Sequence, residues 1–366
     1  MAVFSAMNKV YFVVLFLLFV FFCCPFLTTS NTEADEHTYK VEKTIAIEQT
    51  PIEETPAIDE THTIKDTSNI EPPINSKSDL GEKLFFDPIL SLDRSISCGS
   101  CHQPEFAFAD DKAFSSGVND SRGIRNTPSV MNMLSRPHFF YDGRVLSLEE
   151  QVIIPIENPI EMNLDYDIAV KRIAEDLEYI NLFEQLYQSK PNHDNLAHAL
   201  STFQRNLESD GSAPHDIWAN GLDDNALTAS QLRGRDIFLS DEFKCFDCHF
   251  GPDFTGDEFR NIGLFDGDKL TDKGRFDVTK DPKDLGKFKV PGLRNVGLTA
   301  PYMHNGMMAT LEEVVDFYSN PYDFVEAPIN IDTLMVEPLN LNQQQKDDLV
   351  HFLHSLTDEN IPNKRF

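Results

Sequence analysis

Cys98, Cys101 and His102 stand in the order C-x-x-C-H, and Cys245, Cys248 and His249 repeat that order. The spacing suits one chemistry well: two thiols a helical turn apart add to the two vinyl groups of a porphyrin, and the next residue turns its imidazole onto the iron. Each copy thus specifies one covalently attached haem c and one axial ligand. A structural zinc site and a redox dithiol draw on the same residue types. Paired zinc knuckles normally lie close together in sequence, and neither alternative explains a histidine directly after both second cysteines.

The elements that must position these motifs read as two similar halves. SDLGEKLFFDPILS precedes the first motif and TASQLRGRDIFLSDEFK precedes the second; each has a polar start, a glycine and a phenylalanine on a short amphipathic helix, then a loop. Small c-type cytochrome domains begin in this way. The chain closes with NLNQQQKDDLVHFLHSLTD, a predicted helix with Leu349, Phe352, Leu353 and Leu356 on one face, suited to pack across such a leading helix. Strand signals are weak. The expected fold class is mainly α, two c-type cytochrome domains with long loops, one over 79–222 and one over 223–366, about 290 residues in all.

Two segments precede this body. Residues 1–30 hold an apolar run, Val10 to Leu27, after Lys9 and before Thr28-Thr29-Ser30, which reads as a signal peptide or, uncleaved, as an N-terminal membrane anchor. Residues 31–78, rich in Glu, Thr, Ile and Pro, read as an acidic disordered linker. The remaining two of the six cysteines, Cys23 and Cys24, fall in the apolar run, so none is left for a disulfide framework. Export to the periplasm, where haem c is attached, is the expected localisation. The formal charge of the chain is −29; eleven acids and five bases precede Asp79, which leaves about −23 on the body. A nucleic-acid partner is excluded on this balance, and either an electron donor with a basic face or plain solubility accounts for it.

Beyond the haem motifs the chain carries LGEKLFFDPILS, SCGSCH, RNTPSVMN, FFYDGR, LEEQVIIPIENPIEMN, KCFDCH, FKVPGLRNVGLTAPYMHNG and TLEEVVDFY, in that order. From about Leu80 to the C-terminus it therefore resembles the bacterial dihaem cytochrome c peroxidase family, including its MauG-like branch. The resemblance implies a peroxidatic haem in the first domain and an electron-transfer haem in the second. It implies that Gln151 and Glu161, with Pro155 between them, are the active-site glutamine and glutamate: Glu161 moves a proton between the peroxide oxygens and Gln151 orients the peroxide. The loop AFADDKAFSSGVNDSRGIRNTP contains no histidine, where many members place a displaceable ligand. By resemblance to the MauG-like branch the first haem is five-coordinate, held by His102 and open above, and downstream His138 reads as structural.

The position of the family's methionine ligand to the second haem is Tyr318 here, and MauG-like proteins carry a ligating tyrosine at that place. A phenolate favours ferric and higher iron. Met303, Met307 and Met308 are rival ligands. Tyr141 replaces the tryptophan that the family places between its haems, as a relay of altered redox and proton chemistry, and the sole tryptophan, Trp218, lies elsewhere. The family's calcium ligands carry over onto Asn126, Thr299 and Pro301, oxygen donors suited to a hard cation. The implied function is a peroxidase that reduces hydrogen peroxide with electrons from a small cytochrome c or cupredoxin. Alternatives are a MauG-like enzyme that oxidises side chains of a dedicated protein substrate, and a dihaem electron-transfer protein without catalysis. A homodimer and a membrane tether are further partners the reading raises.

Overall fold

The computed structural model describes residues 73–366, so the expected signal or anchor segment and the spacer up to residue 72 lie outside the described residues. The first helix, α1 (Lys77–Phe86), starts two residues ahead of the expected domain start at Asp79. Its start is set by a capping box: Ser76 Oγ accepts from Asp79 N, and the Asp79 carboxylate accepts from Ser76 N. Leu80, Leu84 and Phe85 line its buried side and are at most 1% exposed. Burying three such side chains contributes about 5–8 kcal/mol before entropy is counted.

Four helices follow the first haem motif in its half: α2 (Leu148–Gln151), α3 (Ile153–Glu157), α4 (Tyr166–Glu175) and α5 (Leu177–Tyr187). Then comes α6 (His193–Arg205), started by Asn192 in another capping box, which packs across α1. The crossing is close because Gly81 offers no side chain: a Cβ there would collide with the Ala199 carbonyl and the Phe203 side chain. The sequence reading did not single out α6 as the partner of α1; α6 begins 112 positions after Gly81.

The second half repeats the device. After a short α7 (Pro214–Ala219) comes α8 (Ala229–Phe238), begun by Thr228, and the closing helix is α11 (Gln343–His354). Gly234 of α8 sits against the Asp348 carbonyl and Phe352 of α11, as Gly81 sits against α6. Between α8 and α11 lie β1 (Phe259–Arg260), α9 (Phe276–Thr279), β2 (Phe288–Lys289) and α10 (Leu311–Ser319). β1 and β2 pair antiparallel, Phe259 opposite Lys289. Among the described residues this ribbon is the only named sheet, so the body is mostly helical with long irregular connections.

The core holds two large apolar clusters, one around Leu80, Phe85, Phe108, Leu200 and Phe203, the other around Phe238, Phe254, Leu349 and Phe352. Charged hydrogen bonds join the halves. Arg136 reaches Asp257 at 2.9 Å and also pairs with Asp253, while Arg125 grips Asp272 at 2.7 and 2.9 Å. Buried Asn295 donates to Asp358 at 2.9 Å and accepts from its backbone N at 2.8 Å.

Candidate active site

Each CxxCH motif is a single 3₁₀ turn, Cys98–Ser100 and Cys245–Asp247, with the following backbone closing it: His102 N donates to Cys98 O at 2.9 Å and His249 N to Cys245 O at 3.0 Å. Both motifs face one continuous cavity of about 710 Å³, whose walls include Cys98, Cys101, His102, Cys245, Cys248 and His249. The donor set fits haem c in detail. His102 Nδ1 donates to the Phe108 carbonyl and His249 Nδ1 to the Phe254 carbonyl, each at 3.0 Å. That bond fixes the tautomer and leaves Nε2 with its lone pair free for iron. Burial lowers the pKa of both imidazoles, which keeps them neutral as a ligand must be. Burial also pushes the Cys98 and Cys245 thiols up to about 12 and Cys101 to about 11, and raises Cys248, so all four are intact S–H groups able to add across a vinyl bond.

On the first-motif side, the α2–α3 segment and the turn after it bring Gln151 and Glu161 to the same cavity wall. Gln151 Oε1 is buried and has no hydrogen-bond partner among the described residues. Glu161 Oε1 accepts from Asn158 Nδ2 at 2.8 Å. Burial raises the Glu161 pKa, against the opposing pull of the Asn158 hydrogen bond and the Arg144 charge. The histidine-free loop packs onto this turn: Val118 N donates to Glu161 O at 2.9 Å and Ser121 Oγ to Ile160 O at 3.0 Å.

On the second-motif side, Tyr318 projects from α10 into the cavity wall. Its hydroxyl makes no hydrogen bond among the described residues, and burial raises its pKa. Of the rival methionines, Met303 lines the cavity, Met307 is 42% exposed, and Met308 is buried with Leu264, Phe317 and Val325. Tyr141 also lines the cavity, as do Asn126, Thr299 and Pro301. The Tyr141 hydroxyl donates to Asn126 Oδ1 at 3.5 Å, while Asn126 Nδ2 donates to the Lys112 carbonyl at 3.1 Å. Among the described residues no cluster of three His, Cys, Asp or Glu side chains is placed to hold a metal ion. His138 rests edge-on against Phe259, and Trp218 carries Arg235 over its ring; neither is part of the cavity wall.

A family model described as di-haem cytochrome c peroxidase matches residues 75–224. Over 311 residues the chain is 34% identical to cytochrome-c peroxidase IdrP1 of Pseudomonas sp. (strain SCT), covering 77% of this chain and 80% of that protein. Over 287 residues it is 36% identical to the methylamine utilization protein MauG of Methylorubrum extorquens, covering 77% and 78%. The chain belongs to the di-haem cytochrome c peroxidase family. Among solved structures, a MauG-like protein associated with microbial copper homeostasis superposes with a TM-score of 0.71 at 32% identity, over 81% of this chain and 93% of that one. The diheme peroxidase BthA from Burkholderia thailandensis shares the fold, with a TM-score of 0.69 over 79% and 88% at 24% identity.

Membership of this peroxidase family makes the chain an oxidoreductase with two haem c groups, and the two histidine-bearing motifs on one cavity have the residue types that such groups need. Asn158 and Arg144 beside Glu161 escaped the sequence reading. Asn158 had a local signal, since it directly precedes Pro159, stands three residues before Glu161, and a side-chain amide there reaches forward over the turn. Arg144 had none, because its action on Glu161 crosses from a separate loop.

Proposed function

We propose that this di-haem peroxidase reduces hydrogen peroxide to two waters at the His102 haem, drawing two electrons and two protons per turnover, with the electrons relayed through the His249 haem. The haems supply the iron that binds peroxide and the capacity to hold oxidising equivalents. Glu161 accepts a proton from one peroxide oxygen and returns it to the other, which leaves as water with the O–O bonding pair. Gln151 orients the peroxide through its side-chain amide. Tyr318 would hold the second haem from α10, and Tyr141 on the same wall would relay charge between the two sides. The observation that carries the reading is the shared cavity wall: an unpartnered, buried Gln151 Oε1 and a desolvated Glu161 stand with His102 around one space. Stopped-flow reaction of the ferric protein with peroxide tests it. Glu161→Gln is expected to slow the reaction by about 10²- to 10⁴-fold; wild-type rates in that variant would remove the assignment.

Residues 79–222 and 223–366 are read as the peroxidatic and electron-transfer domains, on the strength of their separate apolar clusters. Calcium is assigned to Asn126, Thr299 and Pro301, supported by their common place on the cavity wall, where Asn126 meets Tyr141. The protein works in the periplasm, delivered or tethered by residues 1–30; among the described residues no helix is long and apolar enough to cross a membrane. A second reading, oxidation of a protein substrate, is favoured by Tyr318 and by the likeness to MauG. Peroxide added with reduced cytochrome c separates them: oxidation of the cytochrome supports the small-donor reading.

A further inference from the structure

We infer that Asn158 is a positioning residue for the acid–base step, its side-chain amide engaging one oxygen of Glu161 so that the transferred proton is carried by the other. The inference rests on the acid–base reading of Glu161. Asn158 ends α3, where its backbone N donates to Ile154 O at 2.9 Å and its carbonyl accepts from both Glu161 N and Asn163 N at 3.0 Å. Its Oδ1 accepts from Ile160 N at 3.2 Å. Those bonds fix the side chain, and the amide Nδ2 is left aimed at Glu161 Oε1, 2.8 Å away. An amide N–H does not ionise near neutral pH, so Oε1 is an acceptor whether Glu161 is charged or neutral. The mobile proton therefore belongs on Oε2. The backbone of the same turn is held from the other side by Val118 N and Ser121 Oγ, which fixes the point from which the Glu161 side chain starts.

Few ionisable groups share this environment. Arg144 acts on Glu161 from the loop before α2, and the Cys98 and Cys101 thiols couple to it from the first haem motif. Once those thiols are thioethers they carry no charge, which leaves Asn158 and Arg144 as the protein groups opposing burial. Loss of the Asn158 N–H therefore raises the proton affinity of Glu161.

The test uses the two-haem protein. Asn158→Asp keeps the size of the side chain and the acceptor for Ile160 N while replacing the donor N–H by oxygen; Asn158→Ala removes both. Two signals are followed against pH: the second-order rate constant of the ferric protein with peroxide, and the infrared carboxyl band that disappears in Glu161→Gln. In both Asn158 variants the acid limb of the rate profile and the infrared titration are expected to move together to higher pH by about one unit or more. Below the limb that is a loss of about tenfold in rate, with the rate far above the limb kept within a few-fold. Unshifted profiles in folded Asn158→Ala, with Glu161→Gln slow, would overturn the inference and leave Asn158 a helix end only. A fast Glu161→Gln variant would instead overturn the acid–base reading beneath it.

Discussion

At Glu161 burial and hydrogen bonding pull in opposite directions, and burial prevails, so the carboxyl titrates above its ordinary range. A carboxyl with a raised pKa in the folded state binds more protons than in the unfolded chain between its ordinary and its raised value, so it costs stability as pH climbs through that window. Glu161→Gln is therefore expected to be more stable than wild type at neutral pH, with the gap closing below the ordinary carboxylate range, as denaturant unfolding at several pH values would show. At Tyr318 the decisive fact is a side chain on the cavity wall whose hydroxyl makes no protein hydrogen bond among the described residues. Tyr318→Phe is expected to change the low-spin ferric signal in electron paramagnetic resonance, and an unaltered signal would take Tyr318 off the iron. The haem motifs are legible in the sequence because attachment chemistry fixes a local spacing. Gln151 and Glu161 are ten positions apart, and no local rule selects them; only the resemblance did, and the cavity then brings them to one wall.

The leading and closing helices were readable from polar starts and apolar faces, with Thr228 before α8 and Asn342 before α11 inside the quoted segments, while the observed cap of α1, Ser76, lies two residues ahead of the expected start at Ser78. Both pairings use one device, a glycine notch filled by a helix more than a hundred residues away, but only the closing helix, with its apolar face at Leu349, Phe352 and Leu353, was expected to pack across a leading helix. Because Gly81 and Gly234 meet carbonyls of the crossing helix, a methyl group at either forces the helices apart. Gly234→Ala is expected to cost about 1–3 kcal/mol, read as a lower denaturant midpoint at unchanged slope. The histidine-free loop is likewise placed by tertiary bonds: Val118 and Ser121 tie it to the Glu161 turn, an arrangement that composition does not announce.

Over the whole molecule charge works at two ranges. Within it, buried pairs such as Arg136 with Asp253 and Asp257 hold the halves in register, with the Arg136 side chain only 6% exposed. Outside it, a body charge of about −23 would attract any cationic donor over distances near the Debye length, about 10 Å at 0.1 M salt. With a basic cytochrome c as donor, kcat/KM is expected to fall about tenfold or more between about 10 mM and about 300 mM salt. A flat salt profile would return the charge to mere solubility. The sequence by itself determined what is local: two C-x-x-C-H turns with their histidines, the helices that lead into them, the acidic balance and the family. Only the tertiary structure decided that both motifs face one cavity, that Gln151 and Glu161 share its wall with His102, and that Asn158 engages Glu161. The reason is physical: covalent attachment and capping are short-range demands written in neighbouring residues, whereas desolvation and a shared cavity arise only when distant segments pack.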